Sequence, residues 1–123
     1  MSHSKYEQTL LEGWEEVYKK GQLTFWILLA LRAGEKHMAQ IKACIADLTG
    51  KTLLVDDKSM YRALRRFKEA ELISFRTRPS KGVPELKLYM LTPIGKNVLQ
   101  MFIERNIDAV FYKKSVTELL RSK

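Results

Sequence analysis

Between Leu72 and Thr92 the chain leaves helical spacing for two short alternating runs, LISFRTR and ELKLYMLT. PSKGVP separates them, and its Pro79, Gly82 and Pro84 are turn signals. The other periodic segments repeat every three or four residues, so the architecture is restricted to helices plus one β-hairpin. Ahead of the hairpin, Leu10, Trp14 and Val17, with Leu11 and Tyr18 beside them, mark a first helix from Tyr6 that Gly21 is expected to end. A second helix, about Leu23 to Ala33, is apolar almost all round and is expected to be buried on most sides, with Gly34 closing it. Met38, Ile41, Cys44, Ile45 and Leu48 form a third, stopped by Gly50. Asp56 or Asp57 caps a fourth, which runs to about Glu71. After the hairpin, Thr92 as N-cap and Pro93 at the first helical position start another helix. The predicted fold is mainly α with a two-stranded β wing, a winged helix-turn-helix with helices added at both ends.

The chain has 123 residues, which suits one domain of the usual size of about 100–150 residues. Its 46% apolar and 29% charged composition is that of a folded globular protein. The longest apolar run, FWILLAL at 25–31, is far short of the roughly 20 residues that span a bilayer. The N-terminus is polar and acidic, unlike an export signal, so the expectation is a cytoplasmic chain with no membrane partner. Cys44 stands alone, and with only His3 and His37 beside it no zinc site is expected. Neither a phosphate-cradling glycine loop nor a recognisable catalytic set is present, so neither an enzyme nor a cofactor is expected.

Charge points to a partner. The net charge of +8 is unevenly spread: residues 58–87 carry nine Lys/Arg against three acids, whereas residues 1–20 are net −1. At about 100° per residue, Lys58, Arg62, Arg65 and Arg66 share one arc of the fourth helix, and Met60, Leu64 and Phe67 lie opposite. One face can bury while the other meets a polyanion. The hairpin adds Arg76, Arg78, Lys81 and Lys87. A helix in the major groove of double-stranded DNA with a basic hairpin on the phosphates would use this pairing. Ser59 and Tyr61, near the helix start, join the candidate contacts; Tyr61 fits the boundary of the core equally well.

Three stretches resemble PadR-type transcriptional regulators. KGQLTFWILLALRAGEKHMAQI (20–41) is similar to their opening, in which Gly-x-Leu precedes an apolar helix. SMYRALRRFKEAELI (59–73) resembles their recognition element, Ser-x-Tyr-x-x-Leu-x-x-Leu followed by Gly-Leu-Ile. KLYMLTPIGKNVL (87–99) resembles their wing strand running through Leu-Thr into a helix with a glycine three residues on. The chain departs from the pattern at 38–41, which read Met-Ala-Gln-Ile, and at Glu71, which stands where a helix-ending glycine is usual. A left-handed Glu71 would cost about 1 kcal/mol.

The resemblance implies a homodimeric repressor on a pseudo-palindromic operator, often controlled by a small aromatic effector. It implies a winged-helix unit at about 21–100 and dimerisation by segments 5–20 and 101–120, the latter a single C-terminal helix. Leu10, Trp14, Val17, Phe102, Val110, Phe111 and Leu119 also exceed what a three-helix core can absorb, and such surplus marks an interface. Trp14, Trp26, Phe102 and Phe111 are the candidates for an effector pocket, with plain dimer core as the simpler role. The rival function is a winged helix that docks protein or RNA in a larger assembly and has no operator of its own.

Overall fold

The computed structural model describes residues 4–80 and 83–123. Its elements run α1 (Lys5–Arg32), α2 (Met38–Leu48), α3 (Asp57–Glu69), β1 (Ile73–Ser80), β2 (Val83–Leu91) and α4 (Pro93–Ile103), then a π-helical turn (Glu104–Asp108), α5 (Ala109–Phe111) and α6 (Lys114–Arg121). The helical and hairpin segments occur in the expected order, with two differences in how they join.

The expected break at Gly21 does not occur; α1 is one helix of 28 residues. A glycine inside a helix costs only about 1 kcal/mol relative to alanine, and Gly21 has neither a proline nor a left-handed backbone to end the helix. The capping box at Ser4, with Glu7, starts α1. Its C-terminal third, with Ile27, Leu28, Ala30 and Leu31 buried, anchors the whole length. The first four turns extend from that anchor with their apolar residues uncovered.

The second difference lies at the C-terminus, where the single helix expected over 101–120 is divided. The π-turn follows α4, the helix stops at Phe111, and α6 restarts at Lys114 without a side-chain cap. Asn106 Nδ2 donates to the Phe102 carbonyl at 3.2 Å within the turn, and Thr117 Oγ1 reaches back to the Phe111 carbonyl at 3.2 Å across the break.

The core gathers one stripe from each of three helices. Ile27 and Leu31 of α1, Ile41 and Ile45 of α2, and Met60, Leu64 and Phe67 of α3 meet Ile73, Leu91 and Leu99. Cys44 is a half-buried free thiol packed against this core. Burying such aliphatic side chains is worth about 1.5–3 kcal/mol each, which outweighs the local cost of Gly21.

Helices α2 and α3 end alike. The Lys51 N–H reaches the Ala46 carbonyl at 2.7 Å past a left-handed Gly50, and the Leu72 N–H reaches the Phe67 carbonyl at 2.9 Å past Glu71, whose φ is 63°. These are Schellman closures, and the second places a glutamate where glycine is unstrained. Helix α3 accordingly stops at Glu69, two residues before the expected end. Relief of a left-handed non-glycine residue returns about 1–2 kcal/mol, less about 0.4–1 kcal/mol for the freer unfolded chain. Glu71→Gly should therefore raise the urea midpoint slightly; an unchanged or lower midpoint would show that Glu71 makes a compensating interaction.

The hairpin is antiparallel, with Phe75 opposite Tyr89 and Ser80 opposite Val83. Pro79 and Pro84, expected in the turn, fall within the strands, at a register shift between Arg78 and Ser80. Such an irregularity tolerates a residue without an N–H. Gly82 lies outside the described residues. The hairpin's base is tied down by Lys36, which exchanges backbone hydrogen bonds with Tyr89 at 3.0 and 2.8 Å. The Lys36 ammonium meanwhile donates to the Ala30 carbonyl at 2.9 Å, satisfying the C-terminal end of α1.

Candidate nucleic-acid interface

Helix α3 is amphipathic in the expected sense. Met60, Ala63, Leu64 and Phe67 are buried, while Lys58, Arg62, Arg65 and Arg66 are exposed on the other side. Asp56 is the cap: its carboxylate accepts the Ser59 N–H at 2.8 Å and the Ser59 hydroxyl at 3.0 Å. These bonds hold the Asp56 carboxyl below the usual carboxylate range. They also commit the hydroxyl proton of Ser59, leaving that side chain only as an acceptor, which a phosphate oxygen cannot use. Asp57 pairs instead with Lys42 of α2, joining the two helices.

The basic side chains differ in availability. Arg62, Arg66 and Arg78 pair with no carboxylate among the described residues. Arg66 lies over the Phe67 ring, 5.4 Å from its centre. Arg65 is 3.5 Å from Glu69, an exposed pair that a phosphate could displace. Arg76 is committed: its Nε and Nη2 form a fork on Glu35 at 3.0 and 2.5 Å. That fork lowers the Glu35 carboxyl and raises the Arg76 guanidinium. Its geometry ties the α1–α2 connection to the wing, so Arg76 serves the wing's attachment before any ligand. Lys81 lies outside the described residues.

Tyr61 is 55% exposed, beside the wing and outside the core. Tyr61, Arg65 and Lys68 follow at i, i+4 and i+7 and form the edge of α3 that faces the hairpin. Helical spacing around Lys58 does not single out Lys68, which stands at the margin of the basic arc. The Lys68 and Lys87 ammoniums lie 5.1 and 4.8 Å from the centre of the Phe75 ring. Beneath them Tyr89 is buried, and burial, with the neighbouring Tyr61, raises its hydroxyl above the usual phenol range.

The candidate interface and effector residues separate into two groups. Trp26 and Phe102 both meet Phe25, at ring distances of 5.1 and 5.6 Å, and the Trp26 indole N–H donates to Gln22 at 3.0 Å. Leu10, Trp14 and Val17 on the extended part of α1, and Val110, Phe111 and Leu119 near the C-terminus, are exposed. Trp14 and Leu119 are each 74% exposed.

Comparison with known proteins gives this geometry a family. The model of the Transcriptional regulator PadR-like family matches residues 27–101. Among solved structures, Bacillus subtilis PadR in complex with operator DNA is similar over 68% of this chain and 46% of its own, at 28% identity and a TM-score of 0.62. A PadR-like regulator from Bacillus cereus is 25% identical, with a TM-score of 0.66 over 85% of this chain and 96% of that one. A PadR family regulator from Eggerthella lenta shares the fold over 98% of this chain and 100% of its own, with a TM-score of 0.73 at 17% identity. No curated protein matches the chain significantly. The matched region holds the core, α3 with its basic face, and the wing, and on that basis the chain belongs to the PadR-like family of transcriptional regulators.

Proposed function

We propose that this chain is a homodimeric repressor that binds a pseudo-palindromic operator through α3 and the wing and is released by a small aromatic ligand. The observation that carries the reading is α3 itself, with one face buried in the core and the opposite, arginine-rich face uncovered. An α-helix of this kind fits the major groove, and free guanidiniums suit phosphates and guanine edges. The Bacillus subtilis relative, a complex with operator DNA, supports the same use here. Among the described residues no helix is long and apolar enough to cross a membrane, which agrees with a regulator acting in the cytoplasm. Selection of bound sequences from random duplex DNA tests the proposal. It should return two inverted half-sites about one helical turn apart, and recovery of no preferred sequence would reject it. The salt dependence separates the rival: operator binding weakens steeply as salt rises, whereas docking to a protein partner does not.

The dimer reading is supported by the uncovered residues at both ends of the chain. Segments 5–20 and 101–120 expose Trp14, Val17, Phe111 and Leu119, large apolar side chains that an interface would remove from water. Pairing about a two-fold axis would cover both segments at once. Trp14→Ala should shift the protein toward monomer, because truncating a central interface tryptophan commonly costs about 2 kcal/mol or more, or roughly 30-fold in dimer dissociation. Light scattering across a dilution series reads this directly, and an unchanged dimer would remove Trp14 from the interface. The aromatic-ligand reading is supported by the partly open Phe25, Trp26 and Phe102 cluster.

A further inference from the structure

Where α3 meets the hairpin, the structure forms an open cleft of about 340 Å³ whose lining includes Tyr61, Arg65, Lys68, Glu69, Phe75 and Lys87, with Tyr89 at its base. Phe75 is its platform. The ring sits directly across the ladder from buried Tyr89, at a ring distance of 5.7 Å, so it is fixed by the core. Two ammoniums converge on this one ring from different elements, Lys68 from the helix and Lys87 from strand β2. Neither pairs with a carboxylate among the described residues, and the nearby Glu69 is engaged with Arg65. Three cationic side chains, Arg65, Lys68 and Lys87, line the cleft against the single carboxylate of Glu69, and a phosphate entering between helix and wing would relieve the repulsion among them.

We infer that this seam seats the sugar-phosphate backbone of one DNA strand, with Lys68 and Lys87 as phosphate ligands and Phe75 as the residue that positions them. The inference rests on the proposed duplex-binding function and deepens it. With α3 in the major groove and the hairpin beyond its edge, the strand separating the two grooves passes over the seam. That strand offers charged oxygens to the ammoniums and the less polar sugar edge to the Tyr61 ring. The ring attraction holds two flexible lysine chains in place before the strand arrives, which lowers the ordering cost of binding.

The test is a salt titration on a labelled duplex obtained by selection from random DNA. The double variant Lys68→Gln/Lys87→Gln, altered only at the surface, should flatten the slope of log affinity against log salt by about 3.6, because two phosphates per protomer, four per dimer, are no longer neutralised. Phe75→Leu should weaken binding about 2–5-fold in the wild-type background and have no further effect where both lysines are already glutamine. That cycle separates positioning from folding, since a structural defect would persist without the lysines. A wild-type slope in the double lysine variant, or an undiminished effect of Phe75→Leu in it, overturns the seam while leaving duplex binding intact. A wild-type protein that does not bind the duplex overturns both readings.

Discussion

Replacing Arg62 and Arg65 together by alanine is expected to weaken operator binding by roughly 100-fold or more while leaving the melting temperature nearly unchanged. Both side chains are exposed on the face of α3 opposite the buried Met60, Leu64 and Phe67. A guanidinium that reads a base or grips a phosphate contributes about 1–3 kcal/mol to binding, and the salt slope should fall by about one unit for each phosphate left without its arginine. Nothing in the core rests on either residue. The exposed Arg65–Glu69 pair contributes little to stability, and alanine is the better helix former. Fluorescence anisotropy on the selected duplex, with thermal melting in parallel, checks both halves. A melting temperature lowered by many degrees would mean that this face packs against protein. Unchanged affinity with an intact fold would remove α3 from the DNA interface.

Gly95→Ala should do the opposite, damaging the fold far from any ligand. A Cβ built at Gly95 would stand 1.9 Å from the Leu72 carbonyl oxygen and 2.9 Å from its carbon. Both are backbone atoms, so no rotamer change relieves the clash. The same carbonyl accepts the Thr92 N–H at 3.1 Å, and the Thr92 hydroxyl also reaches the Glu71 carbonyl at 2.5 Å. Thr92 Oγ1 in turn caps α4 by accepting the Gly95 N–H at 2.9 Å. Forcing the strands and α4 apart would loosen this joint and the buried Leu99 one turn on. The expected cost is about 3 kcal/mol or more, a fall in melting temperature of roughly 10 °C. Gly21→Ala is the internal control. Gly21 lies inside α1 with open space around its Cα, and alanine there should stabilise by about 1 kcal/mol. If Gly95→Ala melts like the parent protein, the close approach of α4 to Leu72 is not maintained in solution.

The family resemblance of the wing-to-helix stretch marks Gly95, three residues after Thr92, without giving a reason for it. The structure supplies one: the first turn of α4 lies so close to the Leu72 carbonyl that only a residue without a Cβ fits, while Thr92 caps the helix and holds the end of α3's closure. Glu71 is legible in the same way, as a left-handed position occupied by the wrong residue type, and its φ of 63° agrees. Gly21 misleads because a glycine between two amphipathic patterns looks like a boundary. Whether a helix crosses it depends on the balance between a small local cost and burial some turns away, which spacing does not record.

Within this chain, the order of elements, the hairpin, the cap at Thr92 and the two-faced character of α3 were determined by sequence alone, because periodicity and capping act over a few neighbouring residues. Of the two adjacent aspartates before α3, the structure makes Asp56 the cap and gives Asp57 to Lys42. The availability of each charge was decided only by tertiary structure. Arg76 and Glu35 are 41 positions apart yet form a fork, so a residue that reads as a DNA contact is already neutralised. Lys68, at the margin of the basic arc, shares the Phe75 ring with Lys87 only because the hairpin folds back beside α3. Electrostatic contacts follow distance in space, and the chain brings these groups together only when its core closes.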